Sequence, residues 1–339
     1  MTQTLTRTLL YTDSVAEFAR KMTVELPHRA RKFGEPVNIR DFTLEEIVKH
    51  TQTVGADDSL ITAKVVDTVI RGAEEDENLW RRAAAVFALD TEIQRKPLIT
   101  PDDFLFADWI QGTKPRSSGG AFFALKFDCS NHQGHYAADV GFTKNDLKAG
   151  GFDKMEEALW CSGQAAGRFL LKKVVVELLT DVNSGMTDTL ANWGNGAYKA
   201  LNKMEGLIAK QGMSAGLALV NPAEGTDIAN SDYFIHADYG EAARGIPKDL
   251  HSIGSLYGRI PILRHRDVTE NSMIMLTPGK SVGIGLYQDI QVESYEDVRE
   301  GLEGAIVSFQ FDVKSGKDAE GPSGATSPVA KSWAVCTNA

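Results

Sequence analysis

The sequence predicts an α+β fold in two or three subdomains, and three observations carry that prediction. A proline-free stretch of about thirty residues, Phe152 to Val182, has the apolar spacing of one long helix. Short β-favouring runs bounded by turn residues lie on both sides of it. A block of mixed helix and strand character, 185–281, then separates it from a closing pair of strands, Val282 to Glu293 and Ala305 to Val313.

In the long stretch, Leu159, Ala166, Phe169, Leu170, Val174 and Leu178 recur at steps that share one helical face, while Lys154, Glu156, Glu157, Arg168, Lys172 and Glu177 fall mostly elsewhere. At 1.5 Å of rise per residue the helix spans about 45 Å, the length of a strut. Asp153 is positioned to cap its start. Asn183-Ser184-Gly185 is expected to end it with a glycine at positive φ.

Residues 1–58 have the character of an arm with little core of its own. It holds one short helix, Thr43 to His50, with Thr43 and Glu46 at capping-box spacing. Ser59 to Ala88 is helical in character, with a break or kink expected near Gly72. Residues 91–126 carry Pro97, Pro101 and Pro115 and the turn cluster Ser117-Ser118-Gly119-Gly120, which predicts an extended hairpin with a basic tip at Lys114 and Arg116. Phe104, Phe106, Trp109, Phe122 and Phe123 are more aromatics than a hairpin can cover, so the domain body or a second chain must cover them. Residues 127–142 predict a strand pair turning at Gly134. Beyond the long helix come a second amphipathic helix (196–210), a buried strand with a short helix or turn after it (216–230), and alternating strands and turns up to 281. Residues 314–328 have the composition of a flexible linker, and the tail after them offers Trp333 as an anchor.

The totals narrow the class. The chain has 339 residues, 42% hydrophobic and 24% charged, in keeping with a soluble globular protein. No apolar run approaches the ~20 residues that span a bilayer, and the N-terminus has no signal-peptide pattern. Cys129, Cys161 and Cys336 are too few and too scattered for a disulfide framework, which suits a reducing compartment. A net charge of −10 argues against a general phosphate-binding surface.

No enzyme motif completes itself. Cys129, His132 and His135 have zinc-ligand chemistry, but a second half-motif is missing and a polar turn accounts for the pattern better. Pro278-Gly279-Lys280-Ser281 resembles the end of a phosphate loop, yet Ile274 stands where its first glycine belongs, so a hairpin turn is expected. Gly194-Asn195-Gly196 lacks the third glycine of a dinucleotide fingerprint. His236 and His251 lie near Asp238 and Asp249 without a nucleophile elbow. His265 sits in the charged run Arg264–Asp267, which is expected on a solvated face or a subunit contact. Lys114, Arg116 and Lys126 serve either solubility or acidic groups on a neighbour. The chain is expected not to be an enzyme and to need no cofactor or metal.

The order of elements resembles the major capsid proteins of tailed double-stranded DNA viruses, the Hong-Kong-97-type fold. ADWIQGTKPRSSGG stands at the family's extended loop, GHYAADVGFTKNDL at the strand before its spine helix, and ALVNPAEGTDIAN at the strand-then-helix segment of its axial domain. LYGRIPILRHRDVTENSMIML and GLYQDIQVESYEDV are similar to its later strands. The resemblance covers roughly residues 55–313 and rests on element order and short degenerate patterns.

The resemblance implies an N-terminal arm (1–58), a helical part of the peripheral domain (59–90) and an extended loop (91–126). It further implies the peripheral domain with the spine helix (127–184), an axial domain (185–281), return strands of the peripheral domain (282–313) and a C-terminal tail (314–339). The implied function is structural: hexamers and pentamers tiling an icosahedral shell in the virion, assembled in the host cytoplasm. That shell would enclose double-stranded DNA without a specific binding site, with scaffold, portal or cement proteins as further partners and no membrane. Phe104, Phe106, Trp109, Lys114 and Arg116 of the loop and Glu156 and Glu157 of the spine helix are the expected subunit-interface residues. Some family members crosslink through lysine and asparagine; Lys96, Lys114 and Asn338 are expected not to. No large cleaved prodomain is expected before the arm. The alternatives are an encapsulin-type compartment holding cargo enzymes and, more distantly, a metal-dependent enzyme using Cys129, His132 and His135.

Overall fold

A computed structural model of the chain describes residues 43–44, 59–74, 79–98, 123–132, 134–143, 151–190, 193–229, 252–256, 259–297, 302–321 and 328–338. In chain order these hold helices Ser59–Glu74 (α1) and Leu79–Ala83 (α2), then strands Ala85–Ala88 (β1), Ile93–Pro97 (β2), Ala124–Asp128 (β3) and His135–Thr143 (β4). Helix Gly151–Thr180 (α3), strand Thr187–Leu190 (β5), helix Trp193–Ala209 (α4), strand Leu217–Val220 (β6) and helix Pro222–Ala229 (α5) follow. The remaining strands are Ser252–Leu256 (β7), Ile260–Arg264 (β8), Ser272–Leu276 (β9), Val282–Asp297 (β10), Leu302–Ser315 (β11) and Trp333–Asn338 (β12).

The strands make a six-stranded sheet β5-β12-β9-β6-β8-β7, a four-stranded sheet β1-β10-β11-β4 and a two-stranded ribbon β2-β3. In the six-stranded sheet, β6 and residues 273–276 of β9 read as unbroken apolar runs because both faces are covered. Successive side chains point to opposite faces. Leu217, Leu219, Ile274, Leu276, Trp333 and Val335 therefore join one core, with α3 and the four-stranded sheet. Ala218, Val220, Met273, Met275, Ala334 and Cys336 join another, with α4 and α5. A one-residue slip would swap every side chain between these cores, so two covered faces fix the register.

Helix α3 braces both sheets. Ala166, Leu170, Val174 and Leu178 enter the core that contains Val282, Ile284, Phe309 and Phe311 of the four-stranded sheet as well as the strands named above. Nearer the start of the helix, Leu159 enters a separate cluster with Val65 and Val69 of α1 and Ala305 and Val307 of β11. Phe169, the half-buried member of the predicted stripe, meets Tyr136 of β4 edge-on with centroids 4.6 Å apart, and Lys173 lies 5.3 Å over both rings.

Several local expectations need correction. The helix from Ser59 runs through Gly72 and ends at Glu74, and 85–88 is a strand parallel to β10 rather than helix. Residues 127–142 are not a strand pair: β3 pairs with β2 and β4 with β11, and Gly134 (φ 70°) turns the chain from one to the other. Helix α3 begins at Gly151, so Asp153 sits in its first turn instead of capping it, and Gly185 does not take positive φ. The Pro278–Ser281 turn is no hairpin, because β9 and β10 belong to different sheets. Gly279 (φ 70°) and the Ser281 hydroxyl, which lies 3.0 Å from the carbonyl oxygens of both Thr277 and Ser332 and has one proton to share between them, pass the chain from one sheet to the other.

The expected linker is structured up to Gly321: Lys314 and Ser315 end β11, 316–318 is a single 3-10 turn, and Glu320 bridges to Ala124. The expected tail is β12, which lies inside the six-stranded sheet between β5 and β9. Six residues after a Gly- and Ser-rich stretch give little pattern to read, although their alternation between two cores is what holds them.

Candidate functional site

The predicted interface residues whose positions the structure describes lie on the long helix α3. Helix α3 is held to α1 by backbone contact. A Cβ on Gly163 would stand 2.0 Å from the Val69 carbonyl oxygen, one on Gly167 2.6 Å from that of Ala73, and one on Gly72 2.2 Å from that of Trp160. Three glycines thus let the two helices touch main chain to main chain. Gly163 and Gly167 sit one turn apart on the same face, a small-residue spacing that the sequence carries beside the apolar stripe.

The same pair of helices buries a charge. Lys64 of α1 is 1% exposed, and its Nζ lies 3.5 Å from Glu156 Oε1 on α3. The second carboxylate oxygen of Glu156 accepts the backbone N–H of Leu44 at 3.1 Å, and Leu44 itself is buried in the cluster of Val65, Val69 and Leu159. Glu156 was expected at a subunit contact; here it neutralises Lys64 and fixes one residue of the arm. Glu157 next to it is exposed. Arg71 lies 5.6 Å over the Trp160 ring and reaches Asp67 at 3.4 Å, so the cationic side of α1 is also engaged with its neighbours.

The ribbon pairs Ile93 with Asp128 through Pro97 with Ala124. Its root is covered by Leu89, Leu98, Leu125, Phe127, Cys129 and Val329. Arg95 and Glu320 meet across it at 2.5 Å, both largely exposed. Phe104, Phe106, Trp109, Lys114 and Arg116 lie outside the described residues, as do His236, Asp238, Asp249, Glu46 and the side chain of His132. Among the described residues the exposed large apolar side chains are Ile93 on the ribbon, Val176 on α3 and Ile306 on β11.

The zinc-type cluster does not assemble from its described members. Cys129 is fully buried in the apolar root of the ribbon, whereas His135 is exposed at the start of β4. Burial, with Asp312, Asp128 and Glu92 nearby, pushes the Cys129 thiol up to about 11, so it is protonated and inert at neutral pH. Its main chain is used instead: its N–H donates to the Glu92 carbonyl at 2.7 Å and its carbonyl accepts Gln310 Nε2 at 2.7 Å. His265 is buried, not solvated. Its Nδ1 accepts the Asp267 N–H at 3.3 Å, and its backbone continues the β6–β8 pairing by donating to Val220.

A cluster of carboxylates lies at the carboxyl end of α3. Glu177, Asp181 and Asp318 bring carboxylate oxygens within 4.8 Å of one another. Burial first, then the charges of Asp181 and Asp318, push Glu177 up to about 7. Sequence reasoning places Glu177 on the polar face but has no means of bringing Asp318 to it.

The chain is similar in structure to a solved structure from Mycobacterium phage Bobi, with TM-score 0.52 and 14% identity over 77% of this chain and 90% of that one. It is similar to the capsid of the cyanophage P-SCSP1u, with TM-score 0.51 and 11% identity over 76% and 86%. It is also similar to a virus-like particle from Pyrococcus furiosus, with TM-score 0.50 and 13% identity over 80% and 97%. No protein-family model and no curated protein matches the sequence.

Proposed function

We propose that this chain, which has the Hong-Kong-97-type fold, is the major capsid protein of a tailed double-stranded DNA virus, a structural and non-catalytic subunit. The observation that carries the reading is the likeness to the cyanophage capsid over 76% of this chain, together with a brace, α3, that serves both sheets in one core. In this reading the six-stranded sheet with α4 and α5 is the axial domain, and the four-stranded sheet with α1 and α3 is the peripheral domain. The β2–β3 ribbon is the base of the extended loop. Copies associate as hexamers and pentamers through the ribbon, the exposed side of α3 and the arm, and many modest interfaces in a closed symmetric assembly sum to a stable shell. The net charge of −10 favours a wall to which packaged DNA does not adhere. Scaffold, portal and cement proteins are the further partners, and the particle assembles in the host cytoplasm.

A shell that encloses cargo protein in place of a genome is the second reading, because the similar structures include a virus-like particle as well as a phage capsid. Electron microscopy of the purified protein after size exclusion tests the proposal. Closed icosahedral particles or hexameric and pentameric rings are expected, and ultraviolet spectra of full particles separate nucleic acid from protein cargo. A monomer or dimer that persists across salt and pH would overturn both readings.

A further inference from the structure

We propose that a basic run in the chain's own arm, residues 29–33, docks on the outer face of the four-stranded sheet at the row Asp139, Ile306 and Glu293. The contact lies within one chain and does not depend on the shell reading. Residues 1–28 stay available for contacts between copies.

Strand pairing puts the three residues of the row side by side. Ile306 of β11 lies opposite Asp139 of β4 on one side and Glu293 of β10 on the other. Directly opposed side chains of antiparallel strands share a face and stand about 5 Å apart. An exposed isoleucine is thus flanked by two exposed carboxylates. Tyr295 completes the patch. Its hydroxyl donates to Asp139 Oδ1 at 2.7 Å, and its ring lies across Gly304, where an added Cβ would stand 2.9 Å from it. Ala137, one row along β4, is also exposed. Among the described residues neither carboxylate has a cationic partner, and β4 is an edge strand. An apolar centre between two acids suits a segment that is both apolar and basic.

The arm carries such a segment and is tied down beside the patch. The chain has a net charge of −10, yet Arg29, Ala30, Arg31 and Lys32 put three cations in four residues, and Phe33 follows them. The run itself lies outside the described residues. Leu44 is buried on the inner face of the same strands, in a cluster with Ala305 and Val307 of β11, against which Val140 of β4 and Val292 of β10 pack. Those four residues alternate along the strands with Ile306, Asp139 and Glu293, which therefore face the other way. Eleven steps of chain from Leu44 back to Phe33 span up to about 36 Å, enough to pass around the unpaired edge of β4. So short a tether holds the run at a local concentration on the order of millimolar, which favours the sheet of its own chain over that of a second copy.

The chemistry of the two sides matches. The arginines and Lys32 supply the charges that Asp139 and Glu293 lack, and a guanidinium suits the face of the Tyr295 ring. Phe33 gives Ile306 an apolar cover. Docking neutralises the one dense basic run of an acidic chain, withholds it from nucleic acid, and shields the edge of β4.

The test is cleavage of the full chain by trypsin after Arg29, Arg31 and Lys32, read by mass spectrometry. Cleavage is expected to be slow at low ionic strength and unchanged on dilution of the protein. It should be several-fold faster at about 1 M salt, where the Debye length is about 3 Å. Glu293→Lys, at an exposed position, should speed cleavage several-fold at low salt, whereas Glu157→Lys, at an exposed position of α3, should leave it unchanged. A second measurement asks for proximity directly. Ala30→Cys with Ile306→Cys, in a Cys161→Ser chain whose remaining cysteines are buried, should form a disulfide at the mass of a single chain. Fast cleavage in the parent, cleavage indifferent to Glu293→Lys, or no disulfide within one chain would overturn the docking. Protection that appears only at raised protein concentration would assign the run to a second copy, and protection that appears only with added duplex DNA would assign it to nucleic acid. Either result also overturns the proposal.

Discussion

The indole Nε1 of Trp333 donates to the carbonyl oxygen of Leu178 at 2.9 Å, and Trp333 is 1% exposed. Helix α3 ends at Thr180, so the carbonyl of Leu178 is among the last four, which lack a partner along the helix. A side chain from the last strand thus caps the long brace. Trp333→Phe keeps most of the ring volume and leaves that carbonyl unpaired, for a cost of about 1–3 kcal/mol. Trp333→Ala adds a cavity and is expected to cost about 3–5 kcal/mol. Urea unfolding of the full chain measures both. A Phe variant as stable as the parent would show that the bond contributes nothing net.

The helix pair makes a sharper prediction from two glycines. Gly163→Ala places a methyl 2.0 Å from the Val69 carbonyl oxygen, main chain that has nowhere to go. The helices must separate, and a loss of about 3 kcal/mol or more is expected. At Gly206 on α4, nothing lies within 4 Å of the place an added methyl would take. Gly206→Ala should therefore stabilise by about 0.5–1 kcal/mol through helix propensity alone. Opposite signs for the same substitution, read from thermal melts, check the close-contact assignment.

Lys64 and Glu156 separate two roles in one carboxylate. Glu156→Gln preserves an acceptor for the Leu44 N–H but strands the buried ammonium, and should cost on the order of 3 kcal/mol. Lys64→Met with Glu156→Gln removes the charge and should recover most of that loss. Protease cleavage near Leu44 should rise in the single variant and return toward the parent in the double. Failure of the double variant to recover would place the cost in the arm contact and not in the buried charge.

What the sequence reveals and withholds follows from the range of the forces involved. The brace is legible because its apolar stripe is local: Leu159, Leu170, Val174 and Leu178 are all buried as their spacing requires. Strands β6 and β10–β11 are legible for the same reason. The strand β12 is not, because nothing within six residues says that two cores await them. Gly72 reads as a kink because its partner, the Trp160 carbonyl, lies far along the chain. Lys64, Glu156 and Leu44 illustrate the limit for the site. Each is an ordinary residue alone, and only their meeting across α1, α3 and the arm gives Glu156 a role.

The proposed assembly is tested where exposed apolar side chains have no intramolecular task. Val176 on α3 is 49% exposed and Ile93 on the ribbon 50%, so each can be changed without opening a core. Val176→Lys exchanges a β-branched residue for a better helix former, and subunit stability should stay within about 0.5 kcal/mol. Ile93→Lys places a charge on an exposed ribbon position and should be similarly mild. If copies of the chain pack on these positions, each variant must bury an unpaired ammonium at many equivalent contacts, and a closed symmetric shell repeats the penalty at every one. Electron microscopy should then show fewer closed particles or none, with unchanged melts of the dissociated subunits. Normal particles from both single variants and from the double variant would remove the ribbon and the outer side of α3 from the assembly surface.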